Sequence, residues 1–183
     1  MAQTQAYHRG KPGVGHLRSE LVTYGLLGAL AIGLLAAAFT DLRRRQIDNW
    51  LNAAIAVAAP AFWWASGLAL WPDVALQFGV AAAAFVILAV LFALKMMGGG
   101  DVKLLTALAL WIQPPHFLFL VIVMSIIGGL LTIVFGAWHV ARRQTGRIAI
   151  PYGVAIASAA LLTVYAKSLP ALQAGALPGA HLG

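Results

Sequence analysis

Long uninterrupted apolar runs constrain this chain more than any other feature. Leu21 to Thr40, Trp50 to Leu70, Val74 to Leu94 and His116 to Trp138 are each long enough, as helices, to cross ~30 Å of hydrocarbon. Two further runs are shorter, Val102 to Ile112 and Val154 to Leu169. In a bilayer core every backbone N–H and C=O must find its partner inside the protein, which leaves helices and closed barrels. Barrel strands alternate apolar and polar residues; these runs do not alternate. The expected fold is therefore all-α: a polytopic membrane bundle of about six transmembrane helices, the fourth short enough to be half-buried or re-entrant.

Composition agrees. The chain is 62% hydrophobic and 9% charged, with a mean hydropathy of +0.88, whereas soluble domains carry roughly 25% charged residues. So few charges cannot cover a water-facing surface. The net charge of +7 does not point to nucleic acid, because the basic residues sit in short loops between apolar runs, as orientation signals do. The expected organisation is a polar tail at 1–20, a membrane domain at 21–169 and a Gly/Ala/Pro-rich tail at 170–183. Ala36-Ala37-Ala38 resembles a signal-peptidase site, but the preceding run exceeds the usual signal length of about 7–15 residues.

The loops set the orientation. Arg43, Arg44, Arg45, Lys95, Lys103, Arg142, Arg143 and Arg147 make eight of the twelve Lys and Arg, all on one side. The opposite loops, Trp71 to Asp73 and Gln113 to Pro115, hold none. The positive-inside rule puts the arginine loops in the cytoplasm.

Against this background the five carboxylates stand out: Glu20, Asp41, Asp48, Asp73 and Asp101. A carboxylate at a bilayer edge is a functional candidate by default. Asp41 follows the first run, and Asp101 precedes the fourth. Two full spans separate them, so both lie at the same membrane face whatever the absolute topology. Two carboxyls at one site cannot both ionise cheaply and share a proton. One can then take a proton from attacking water while the other donates to a carbonyl, the division of labour in aspartic proteases. The same pair also suits a proton relay in a small proton-coupled transporter, and a non-catalytic assembly subunit is a third reading.

Other chemistries lose ground. The chain has no cysteine, which removes thiol catalysis, disulfides and Cys-type metal sites. His116 and His139 fall at opposite ends of the fifth run and cannot share a metal; His8, His16 and His181 lie in the tails. No metal or organic cofactor is expected. Gly98, Gly99 and Gly100 before Asp101 are expected to give clearance for a close backbone approach, by a substrate strand or the first helix. Asp101 is a candidate N-cap for the fourth helix and Asp48 for the second. Lys103 is expected to modulate the pair or to anchor its helix at the headgroups. Most tryptophans, Trp111 among them, are expected to form an interfacial belt, whereas Trp63 and Trp64 need a packing role. Gly128 and Gly129 are expected to allow close helix approach.

These residues resemble a known family. Asp41-Leu42-Arg43-Arg44-Arg45-Gln46-Ile47-Asp48-Asn49 is similar to the first motif of type IV prepilin peptidases. Gly98-Gly99-Gly100-Asp101-Val102-Lys103-Leu104 is similar to the second, the Gly-x-Gly-Asp signature of intramembrane aspartic proteases. Pro151 to Ala157 resembles the segment opening the last helix, and the length resembles short members from tight-adherence pilus systems. The resemblance implies a bacterial inner-membrane endopeptidase that removes the basic leader of prepilin or pseudopilin substrates at the cytoplasmic face. Asp41 and Asp101 would be its catalytic pair, and Asp48 and Tyr152 possible substrate contacts. The family often has Pro where Asp48 stands. Longer members carry a paired-cysteine domain and N-methylate the new terminus; without that domain, methylation has no support here.

Overall fold

The computed structural model describes the backbone of residues 14–143 and 150–175, and the side chains of 18–143 and 150–167. Arg147, most of the polar N-terminal tail and residues 176–183 lie outside the described residues. Among the described residues six α-helices follow one another: α1 Val14–Arg44, α2 Asn49–Ala65, α3 Ala75–Ala93, α4 Gly99–Trp111, α5 Pro114–Ala141 and α6 Tyr152–Gly175. The chain is an all-α membrane bundle. Among the described residues, α1, α5 and the stretch Leu70–Ala93 containing α3 are long and apolar enough to cross a bilayer; α6 is a shorter apolar helix. The helices at both ends extend past the expected runs. α1 begins within the segment read as polar tail, and α6 continues beyond Pro170.

Loop chemistry sets the boundaries. Gln113 is extended ahead of Pro114 and Pro115, which open α5; proline fits the first helical turn and pushes its predecessor out of the helical region. Arg45, Lys95 and Arg143 take positive φ just past the ends of α1, α3 and α5. Left-handed residues close helix C-termini, and a cation there also suits the helix dipole.

α4 is the centre of the bundle. It contacts α2, α3, α5 and α6, and its Leu104, Leu105 and Leu108 are fully buried. Two tryptophans tie it to α2 in reciprocal fashion. Trp63 Nε1 donates to Leu110 O at 2.7 Å, and Trp111 Nε1 donates to Ile55 O at 2.8 Å. Leu110 lies in the last turn of α4, where carbonyls lack an intrahelical donor. Trp111 is thus a core residue stacked on Phe62 at 4.9 Å, not part of a belt. Trp63 has the packing role expected of it, while Trp64 and Trp71 are exposed.

The outer helices present apolar residues outwards. α3 buries only Gln77 and Ala81, and exposes Phe85, Val86, Ile87 and Val90. α5 buries Leu120, Met124 and Gly128, a stripe at four-residue spacing that faces α6. A Cβ at Gly128 would lie 2.9 Å from Tyr152 Cε1, so close approach is real there; at Gly129 nothing stands within 4 Å.

Candidate active site

Asp41 lies in the last full turn of α1, inside the helix, and is only 6% exposed. Its charge would be poorly placed at a helix C-terminus. Tertiary structure supplies the compensation: Asp41 Oδ2 accepts the Gly153 backbone N–H at 2.8 Å. Gly153 is the second residue of α6, and first-turn N–H groups have no partner within their own helix. The carboxylate of α1 therefore caps α6, at the helix end that favours an anion. A Cβ at position 153 would sit 2.9 Å from both Asp41 Cβ and Oδ2. Only glycine lets the two chains meet so closely.

Asp101 is the third residue of α4 and not its N-cap; Gly98 holds that position, with no side-chain cap. The Asp101 carboxyl instead folds back, its Oδ2 standing 2.9 Å from where a Cβ of Gly98 would be. It is half-buried at the mouth of a helix too short to span. Burial first, and the charge of Asp41 second, push it from the ordinary 3.8 up to about 6, against a Gly98 N–H that pulls it down. The fold thus brings Asp41 and Asp101, sixty positions apart in sequence, within electrostatic reach at one end of the bundle.

The glycines before Asp101 serve the chain's own packing. A Cβ at Gly99 would meet Phe92 Cε2 at 3.2 Å, and one at Gly100 would meet Ile47 Cβ at 3.2 Å. Clearance is required here, and within the chain α3 and the α1–α2 loop take it up, not the first helix. None of the three has positive φ.

Asn49, the last residue of the first motif, and Asn52, which sequence reasoning passed over, bind the motifs together. Lys103 Nζ donates to Asn49 Oδ1 at 2.8 Å, joining the starts of α4 and α2. Asn52 Nδ2 makes a long bond to Gly100 O at 3.4 Å, and its buried Oδ1 has no partner among the described residues. Position relative to Asp41 was the available signal: Asn49 and Asn52 sit one turn apart at the start of α2. Asp48 does occupy the N-cap position of α2, but its side chain makes no capping bond. Tyr152 turns towards α5, its ring on Gly128 and its hydroxyl 3.2 Å from Thr132 Oγ1. Among the described residues no group of three or more His, Asp or Glu gathers where it could hold a metal.

Residues 28–133 match the family model described as the type IV leader peptidase family. The chain belongs to that family. The matched region takes in Asp41, Asp101 and both asparagines, and stops short of Gly153 in α6. No curated protein and no solved structure matches the chain. Membership of this peptidase family makes the paired carboxyls, at the bundle end where α1, α3 and α5 finish in basic residues, the place to look for chemistry.

Proposed function

We propose that this leader peptidase family member is an aspartic endopeptidase, and that it removes the basic leader of prepilin-like proteins at the cytoplasmic face of a bacterial inner membrane. The observation carrying this reading is the meeting of Asp41 and Asp101 closely enough for the charge of one to act on the other. Hydrogen bonds from backbone N–H groups favour an ionised carboxylate. Asp41 has such a donor in Gly153, as Asp101 has in Gly98, but Asp41 alone of the two also has a cation, Arg45, within electrostatic reach, and on this reading it takes the role of base. Asp101, held up by burial and by its neighbour, takes the role of acid. Water attacks the scissile carbonyl carbon, giving its proton to Asp41 while Asp101 protonates the carbonyl oxygen. The tetrahedral intermediate then collapses: the C–N bond breaks as the departing amine takes the proton from Asp41, and one hydroxyl of the intermediate returns its proton to Asp101.

Asp48 suits recognition of the basic leader: it is an acid near the pair whose side chain is not used as a cap. Tyr152 borders Gly153 and would touch substrate only through the edge of its ring left free by α5. Arg43, Arg44 and Arg45 would repel a basic leader and serve orientation. Partners on this reading are the prepilin or pseudopilin substrate and membrane lipid.

Co-expression with a prepilin reporter tests the reading. Asp41→Asn and Asp101→Asn are each expected to abolish leader removal while the protein persists in membranes. Full cleavage by either variant refutes the two-carboxyl mechanism. Proton-coupled solute flux from a protein that leaves leaders intact would support the relay instead.

A further inference from the structure

One cavity lies away from the carboxyls. It occupies about 420 Å³ at the other end of the bundle, between α1, α2, α3, α4 and α6, within the range of small-molecule sites. Three helices agree on its position. It touches α1 at residues 19–30 and not near Asp41, α4 at Trp111 and not near Asp101, and α6 at 163–167 and not near Gly153. The ten residues of α4 between Asp101 and Trp111 make the floor about 15 Å from the paired carboxyls.

The lining is graded. Leu30, Phe62 and Trp111 form a buried apolar floor. Gln77, at 3% exposed, adds an amide to the wall from a helix that is otherwise apolar. Glu20 and Lys167 are exposed residues of the lining, one from α1 and one from α6. Glu20 lies near the end of the span Arg18–Arg44, so this mouth sits at the level of lipid headgroups. Each charge selects against a ligand of one sign: a lone anion meets Glu20, and a lone cation meets Lys167. An amphiphile carrying both signs on one headgroup satisfies both and lays its apolar part on the floor. Glu20 is already engaged within the chain, but a carboxylate accepts several donors at once.

We propose that this cavity binds one zwitterionic phospholipid, with its phosphate at Lys167, its ammonium at Glu20 and an acyl chain against Leu30, Phe62 and Trp111. The site is independent of the peptidase reading. It gives the bundle a lipid ligand wedged between the helix that carries Asp41 and the one that carries Gly153.

Native mass spectrometry of the delipidated full chain in detergent tests this. Phosphatidylethanolamine is expected to form a single saturable adduct, up to about fivefold tighter than phosphatidylglycerol with the same acyl chains, the scale of one solvent-exposed ion pair. Lys167→Gln and Glu20→Gln should each lower phosphatidylethanolamine occupancy to a similar degree. The exchange Glu20→Lys with Lys167→Glu should restore it. Leu30→Trp, which fills the floor without touching a charge, should lower occupancy of both lipids. Equal binding of the two lipids to the wild type, or wild-type occupancy in folded single variants, would overturn the proposal. So would soluble phosphoethanolamine binding as tightly as the lipid, because the apolar floor would then contribute nothing.

Discussion

Replacing Gly153 by alanine probes the contact that fixes Asp41. Ordinarily a helical Gly→Ala change stabilises a protein by roughly 0.5–1 kcal/mol, through lower backbone entropy in the unfolded chain. Here the new Cβ would lie 2.9 Å from Asp41 Cβ and Oδ2 and 3.0 Å from its Cγ, where carbon atoms prefer about 3.5–4.0 Å. Asp41 cannot withdraw cheaply, because Leu34 and Ala37 pack α1 into the core with no exposure. One displacement must relieve the overlap and break the 2.8 Å bond to the Gly153 N–H. Overpacking costs about 1–3 kcal/mol, and a hydrogen bond to a charged group about 1.5–3 kcal/mol. A single movement incurs both, so their sum is an upper bound. If about 1.5–3 kcal/mol of this reaches the transition state, kcat/KM for leader cleavage falls about 10- to 150-fold. The assay is cleavage of a prepilin reporter in membranes, with thermal unfolding measured in detergent. Gly129→Ala is the control: with nothing within 4 Å of its Cβ, it should gain stability and keep activity. A Gly153→Ala protein that is both more stable and fully active would refute the close contact and the role given to it.

Three further outcomes follow from the geometry. Asp101 has its folded pKa raised from 3.8 to about 6, so its contribution to stability is complete below the unfolded value and is lost as pH rises through about 6. Asp101→Asn should therefore unfold at a higher temperature than wild type at pH 7.5, with the gap closing towards pH 4; a pH-independent gap would count against burial as the cause. Leader cleavage should fall as pH rises past about 6, as the proton shared by the pair is lost, and a rate that climbs steadily to pH 9 would contradict an acid role for Asp101. Trp63→Phe and Trp111→Phe each delete one α2–α4 bond and should each lower stability by about 1–3 kcal/mol, readable by denaturant unfolding; an unchanged midpoint would show that the ties carry no stability.

The membrane class, the all-helical fold and the co-location of Asp41 and Asp101 were legible in the sequence because each depends only on counting. Apolar length decides what can span, and an even number of crossings returns the chain to the same face however the helices pack. What surrounds each carboxyl was not legible. In a bundle whose outer helices face lipid, apolar residues occupy both the inner and the outer faces, so α3 gives little sign of which side is buried and α4 shows none of its central place. Helix rotation and crossing, which only the folded structure decides, put Gly153 against Asp41, filled the space beside Gly99 and Gly100 with Phe92 and Ile47, and turned Trp111 inward. The sequence by itself was enough to expect two costly carboxyls at one end of the bundle. The tertiary structure decided that one of them caps a distant helix while the other is buried beside its charge, because those neighbours come from segments that no local pattern connects.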